Sequence, residues 1–504
     1  MKLTDWIIFL GLLLLIAIAY DFDEIFHKRP QGPHNWRQTD CASLALNYHQ
    51  DEDAHLWSPR THHLLGKNKD GKTVGEIPVI YYIVSKIYDV FGYNEGYFRI
   101  FNFLLYSIGL FYLFRLGIEF LKDKYYASAV MLSATCSVIV IFYAYSFLPN
   151  APSLAFVFCS WYYIYKYFTT KINKYLFYFI GFISLAALLK ITALLSAGLV
   201  LSLFILERFF GVQYFKSKLF GIKTIQSLYL LVPFILAGAW IFVARMYQVS
   251  NGNFYFSLDW DPIWIMENDM IRYTWKRIIS DWGWGRDIIY PGILSLSVVS
   301  LALSWIEKDR FWSHVLTLYA LAVVAYVLVF FLALKDHDYY FINLIGFFPL
   351  AMIYQMHWLK SKFGHSIAAR VFVGLLMVVA IMSTDKRHKE RYTAFHYDDH
   401  YNVLFDATPY IRSLGIEQSD KIIVEGERSH CVSLYLLNNK GWNSKLSDSI
   451  KDVPNDRFKH FIQGGAKYLL VLGENRTNFK AIKDIKKTQI GRKDDLFVYK
   501  LNTE

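Results

Sequence analysis

The chain has 504 residues, 55% of them hydrophobic and 18% aromatic, and a formal net charge of +11. Its apolar residues fall into many long blocks instead of the 3.6-residue stripes of a soluble bundle, which excludes a soluble globular enzyme and points to an α-helical polytopic membrane protein. The positive charge is dispersed among short loops, with no basic module interleaved with aromatics, so nucleic acid is excluded as a partner.

Crossing the hydrocarbon takes about 20 apolar residues. Eleven stretches approach that length: 5–22, 97–119, 125–147, 152–169, 174–190, 191–208, 226–247, 289–306, 312–334, 339–358 and 366–383. Lys190 interrupts one long run between the fifth and sixth, where a short re-entrant pair is the alternative. With the amino terminus cytoplasmic, the inside loops carry Arg115, Lys122, Lys124, Lys166, Lys171, Lys174, Arg208, Lys216, Lys218, Lys223, Lys308, Arg310, Lys360, Lys362 and Arg370. The short outside loops carry only Lys190 and Lys335. By the positive-inside rule this predicts that 23–96, 248–288 and everything after about 384 lie on the outer face. Lys2 and an apolar run ending Ala17-Ile18-Ala19 also fit a cleaved signal peptide, and the loop beyond residue 23 is outside under either reading.

The expected organisation is a transmembrane region over 1–383, with outer loops 23–96 and 248–288, and a small extracytoplasmic α/β domain over 384–504. That domain is predicted from strand-like runs at Lys421-Ile422-Ile423-Val424, Lys467–Leu472 and Leu496–Tyr499, with a helix-like stretch near 451–463. Cys41 and Cys431 both fall on the outer side, where a disulfide between them is conceivable. No spacing diagnostic of a metal site occurs, and no cofactor is indicated; acidic side chains could hold a divalent ion, but no ligand set stands out.

Chemistry-bearing residues gather in the outer loops. The string Gly32-Pro33-His34-Asn35-Trp36-Arg37-Gln38-Thr39-Asp40 comes after the first span, and Asp23-Glu24 lies nearer to that span. Asp40 opens a segment with apolar residues at 41, 44, 45 and 48, which predicts an amphipathic membrane-surface helix with Asp40 in its first turn. There the carboxylate serves either the helix dipole or chemistry. Glu76 precedes Ile77-Pro78 and an aromatic run. Arg99 enters the second span, where it either snorkels or meets a phosphate or carboxylate. Lys335-Asp336-His337-Asp338-Tyr339-Tyr340 joins two spans, and His337, Tyr339 and Tyr340 are candidates to line a site. The tryptophans at 260, 264, 275, 282 and 284 suit an interfacial helix, and Lys276, Arg277 and Arg286 among them suit a lipid phosphate.

The order and placement of these motifs, Trp-Arg-Gln-Thr-Asp after the first span, Glu-x-Pro with aromatics, Phe-Gly-x-x-Glu before Arg99, the Lys190 turn and the late His-x-Tyr-Tyr, resemble the GT-C glycosyltransferases. The nearest subgroups are the protein mannosyltransferases and the lipid A aminoarabinose transferases. The resemblance covers about the first 360 residues. It implies transfer of a sugar from a polyprenyl-phosphate donor, undecaprenyl phosphate in a bacterial inner membrane, to an envelope glycan, lipid or protein acceptor on the outer face, with inversion. It makes Asp40 the candidate base, with Asp23 and Glu24 as rivals, because many relatives carry an acidic pair where this chain has Trp36-Arg37-Gln38. It assigns Arg37, Arg99 and Lys190 to the donor phosphate; His34, Trp36, Glu76, His337, Tyr339 and Tyr340 are the substrate-binding candidates. A transporter or flippase of lipid-linked glycans and a surface-polysaccharide ligase or polymerase are the competing functions.

Overall fold

The structure is a computed structural model that describes residues 2–502 apart from 216–217, 222–223, 257–259, 282–288, 365, 394–398 and 445–455, and a few further side chains beside those gaps. Trp282, Trp284 and Arg286 of the tryptophan-rich loop, and the start of the 451–463 stretch, lie outside the described residues. In chain order the helices are α1 (Leu3–Ala19), α2 (Phe22–Phe26), α3 (Asn35–Gln50), α4 (Val79–Phe91), α5 (Glu95–Leu121), α6 (Lys124–Ser133), α7 (Val138–Ala144), α8 (Asn150–Thr170) and α9 (Asn173–Leu189). They continue as α10 (Leu194–Phe209), α11 (Val232–Asn251), α12 (Asn268–Asp281), α13 (Ile289–Ile306), α14 (Arg310–Val329), α15 (Phe331–Asp336), α16 (Ile342–Ile345), α17 (Phe347–Phe363) and α18 (Ile367–Thr393).

Two compact units are present: Met1–Phe26, Arg99–Phe242 and Leu258–Glu390 in the first, His27–Phe98, Val243–Ser257 and Arg391–Glu504 in the second. The first outer loop and the stretch after α11 thus pack with the C-terminal region.

The first unit is a helical membrane body. Every one of the eleven apolar stretches coincides with a helix or a broken pair of helices. Among the described residues six helices are long and apolar enough to cross a bilayer, or seven if α6 and α7, bent by 83°, form one span. The expected eleven would also need α1, α9 and Leu294–Ile306, which are apolar but short, and α8, whose many tyrosines dilute its apolar character. At 1.5 Å per residue a short helix does not cover the roughly 30 Å of hydrocarbon unaided. Ser137 caps α7 by accepting from the Val140 amide, which lets the chain turn sharply at a point where α6 has ended. Gly109 of α5 sits against Ala155 of α8, where any Cβ would collide with the neighbouring backbone; the small pair permits close helix approach. Lys124 pairs with Asp5 at 2.5 Å, Arg370 with Asp123 at 2.8 Å, Lys166 with Glu119 at 2.8 Å and Lys362 with Glu307 at 2.9 Å. The basic residues of the short loops are thereby tied to acids at the helix ends.

The second unit is built around a five-stranded sheet of β1 (Lys421–Glu425), β2 (Gly441–Asn443), β3 (Ala466–Leu472), β4 (Lys487–Lys493) and β5 (Leu496–Leu501) in the order β2-β1-β3-β5-β4. β1 runs parallel to β2 and β3, and β5 runs antiparallel to β3 and β4. The helices α19 (Ala407–Ser413), α20 (Val432–Leu436), α21 (Asp456–Gln463) and α22 (Lys480–Lys483) flank it. The apolar runs of these strands bury Ile423, Leu469, Val471, Phe497 and Trp442 in one core. Leu64, from the first loop, joins that core. Its amide donates to the Gly441 carbonyl at 2.8 Å, the Gly441 amide donates to the His62 carbonyl at 3.0 Å, and the Trp442 indole donates to the Leu64 carbonyl at 2.8 Å. The loop therefore adds a short parallel bridge beside β2. The stretch after α11 is fastened to the same loop by Lys67, whose amide donates to the Asn251 carbonyl, and by Gln248, whose side-chain amide donates to the carbonyls of Val74 and Phe256.

Gly441 is where this joint is tightest, since a Cβ there would meet the Ile422 carbonyl oxygen. Gly441→Ala is expected to cost at least about 1–3 kcal/mol, read as a lower melting temperature of the purified chain in detergent and faster proteolysis of the C-terminal region.

Candidate functional site

α3 begins at Asn35, preceded by His34 in the left-handed conformation (φ 53°). Gln38 donates from its side chain to the carbonyls of Gln31 and Pro33 at 2.9 and 3.0 Å, which ties the incoming turn to the helix. The expected surface helix is not what forms: every residue from Gln38 to Tyr48 is buried, so α3 is covered on all faces within the second unit. Its first turn holds no acid. Asp40 falls in the second turn, where it no longer serves the orphan amides at the helix start.

Asp40 is 1% exposed. Its Oδ2 accepts a 2.9 Å hydrogen bond from the Tyr255 hydroxyl. Burial, reinforced by the Asp40 charge, pushes the Tyr255 phenol well above its usual range, so it stays an O–H donor to the carboxylate. The Tyr255 ring stacks on His430, with centroids 3.3 Å apart and planes at 14°. His430 is 1% exposed, and its Nδ1 lies 3.2 Å from Nδ1 of His63.

One turn earlier, Arg37 is held by Glu76 at 2.5 and 2.6 Å and lies over the Phe256 ring at 4.6 Å. Glu76 also accepts from the Tyr81 hydroxyl. Tyr81 in turn meets the Cys41 thiol at 3.3 Å, and burial pushes that thiol up to about 12. Cys41 and Cys431 are both buried free thiols, so no disulfide joins them; Cys41 is engaged with Tyr81 instead. His34 and Trp36 are half-buried at the start of the same helix.

The first unit gathers a different set. Lys190 ends α9 in an extended conformation (φ −156°, ψ 116°) and its amide is bonded to the Ala186 carbonyl. Two separate helices, α9 and α10, therefore flank it, joined by a short turn at Ile191–Ala193. Its Nζ lies 4.6 Å from the Tyr340 ring centre and 5.5 Å from that of Tyr339. His337 packs edge-on against both tyrosines at 5.4 Å. Beside them Asp338, 0% exposed, accepts from the Tyr143 hydroxyl at 2.6 Å. Arg99 is also 0% exposed; it donates to the Tyr145 carbonyl at 2.5 Å and covers the Phe147 ring. It is buried in the first unit and does not snorkel. Asp23 and Glu24 lie exposed on the five-residue α2.

The structure thus assembles Arg37, Asp40 and Glu76 around α3, and Lys190, His337, Tyr339 and Tyr340 around the α9–α10 turn. Sequence reasoning missed Tyr255, Phe256, His430 and Asp338. Tyr255 is 215 positions from Asp40, and nothing local marks it; Asp338 stood inside a motif already singled out. Among the described residues no group of three or more His, Cys, Asp or Glu side chains could hold a metal ion.

The fold is shared with several solved membrane-protein structures. The chain is similar in structure to ArnT from Cupriavidus metallidurans bound to undecaprenyl phosphate, at 13% identity and TM-score 0.64, over 99% of this chain and 98% of that one. It is also similar to the Archaeoglobus fulgidus oligosaccharyltransferase in complex with zinc and sulfate, at 11% identity and TM-score 0.54, over 91% and 67%. A third is the mycobacterial arabinofuranosyltransferase AftD, at 10% identity and TM-score 0.52, over 98% and 40%. At these identities the likeness is one of fold. No family model and no curated protein matches the sequence.

A buried histidine near Asp40 carries a pH consequence. His62, 1% exposed, has Nδ1 2.7 Å from the Ser43 hydroxyl and 3.0 Å from the Asn47 amide nitrogen. Burial of the ring lowers its pKa to about 3. The unfolded chain takes up this proton near pH 6.5 while the folded chain refuses it down to about 3. Stability contributed here is therefore present above pH 6.5 and lost on acidification, by up to about 1.4 kcal/mol per pH unit. Chemical denaturation at pH 7, 6 and 5 should show that fall, and His62→Asn should flatten it.

Proposed function

We propose that the chain is a membrane glycosyltransferase that takes a sugar from a polyprenyl-phosphate carrier and passes it to a hydroxyl of an envelope glycan, lipid or protein. The observation that carries this reading is Asp40: a carboxylate withdrawn from water, one oxygen held by a phenol, in a fold shared with ArnT. ArnT has been crystallised with undecaprenyl phosphate and the oligosaccharyltransferase AglB with dolichol-phosphate, and we assign the same class of lipid carrier to this chain, undecaprenyl phosphate in a bacterial inner membrane.

Asp40 is the base. As the acceptor oxygen attacks the anomeric carbon, its proton passes to the carboxylate, the bond from that carbon to the phosphate oxygen breaks, and the electron pair leaves on the phosphate. Attack opposite the leaving group inverts the centre. A phosphate monoester leaves without a strong acid when a cation is at hand. Among the three cations nominated for that task, Arg37 is taken up by Glu76 and Arg99 by a backbone carbonyl. Lys190 has the aromatic faces of Tyr339 and Tyr340 around its ammonium, a costly arrangement in an apolar setting that an anionic ligand would relieve. We assign the donor phosphate to Lys190, with His337, Tyr339 and Tyr340 beside it. The amino terminus lies in the cytoplasm and the C-terminal α/β region outside, in keeping with the basic short loops.

Purified protein incubated with undecaprenyl-phosphate-linked sugars and envelope extract should transfer one sugar per turnover. Asp40→Asn should lose activity by about 100-fold or more, with Asp23→Asn and Glu24→Gln close to the parent. Full activity of Asp40→Asn would move the base to α2. Growth of the product by a block of sugars would mark a ligase, and translocation without a new glycosidic bond a flippase.

A further inference from the structure

Asp40 is held from outside its own helix by a relay of side chains that the reaction chemistry does not itself require. Its Oδ2 takes the Tyr255 hydroxyl; Tyr255 is pressed face to face on His430. His430 is in turn flanked by first-loop residues, with Nδ1 at 3.2 Å from His63 Nδ1 and Nε2 at 3.4 Å from the Thr61 hydroxyl. His63 bridges to Gly441 at the edge of the sheet, and its Nε2 accepts from the Asn443 amide at 3.4 Å. Every member belongs to the second unit. The titratable and charged groups that face this cluster include Arg37 and Cys41 on α3, Glu76 on the same loop, and Cys431 and Glu427 near His430.

A phenol on a flexible stretch holds a carboxylate in one orientation only if its own ring is fixed. Tyr255 lies in the short irregular stretch after α11, which by itself leaves the ring many rotamers. A flat stack against a buried imidazole removes that freedom, and the neighbours of His430 fix the imidazole. We propose that Tyr255 and His430 are positioning residues for Asp40, so that the C-terminal α/β region sets the orientation and ionisation of the acid that the first loop carries. The inference rests on the reading of Asp40 as the base. It gives the C-terminal region a part in catalysis that its own surface does not reveal.

The test is the pH dependence of sugar transfer from undecaprenyl-phosphate-linked sugars to envelope extract. It is measured for the full chain and for Tyr255→Phe, His430→Phe, His430→Ala and Asp40→Asn, with melting temperatures recorded alongside. A hydrogen bond donated to the ionised carboxylate favours that form, so its loss raises the carboxyl pKa. Tyr255→Phe is expected to lower kcat about tenfold or more, to change the donor KM less than about twofold, and to move the acid limb of the kcat profile up by about one pH unit. His430→Ala should reproduce part of that shift, and His430→Phe, which keeps a flat ring, should restore most of the parent's rate. An unmoved acid limb and parental kcat in a folded Tyr255→Phe, with Asp40→Asn inactive, would overturn the positioning role and leave Asp40 as the base. An active Asp40→Asn would overturn the base assignment itself, and the positioning role with it.

Discussion

A carboxylate moved out of water loses several kcal/mol of hydration unless other donors replace the solvent, and much of the second unit is arranged around that demand. Asp40, placed by α3 on a helix buried on every side, cannot be served by its own backbone, because the helix amides around it already bond within the helix. Its donor has to come from elsewhere in the chain, and it comes as Tyr255. Glu76 meets the same demand with Arg37 and Tyr81. Glu427, 1% exposed, meets it with the amides of Ser429 and Ser433, the Ser433 hydroxyl and Asn443. Tyr255 on Asp40 ties the stretch after α11 to the first loop, and Leu64 ties that loop to the core of the C-terminal sheet, so the three hold together as one unit.

Cations partly or wholly withdrawn from water impose the converse demand and are met differently. Arg37 has a carboxylate, Arg99 a carbonyl and an aromatic face, and Lys190 two tyrosine rings. A guanidinium saturates its fork with planar partners, whereas an ammonium over aromatic rings keeps hydrogen-bonding capacity for an anion.

The candidate site was partly legible along the chain. Asp40, Arg37 and Glu76 stand out as polar residues in an apolar sequence, and they do converge. Lys190 stands out because it interrupts an apolar run, and the His337–Tyr340 string because it crowds aromatics into a short connection; these also meet. The surface-helix reading of α3 failed for a definite reason. Apolar residues at 41, 44, 45 and 48 mark one face for burial, but Ser43 and Asn47 on the other face are buried as well, through hydrogen bonds to His62. Side-chain polarity does not announce burial when the partners lie in other segments.

The features that the sequence determined by itself are those that depend on short stretches of chain: the apolar blocks that must leave water, the break at Lys190, the strand-like apolar runs that become β1, β3 and β5, and the polar strings between spans. Each is set by hydrophobicity and backbone preference within a few turns of helix or a few residues of strand. The tertiary structure alone decided that Leu64 enters the core of a sheet formed hundreds of positions later. It alone set Tyr255 and His430 beside Asp40 and closed Arg37 on Glu76. Those contacts satisfy the desolvation of groups far apart in the chain, and desolvation is a property of the folded interior that no window of sequence contains.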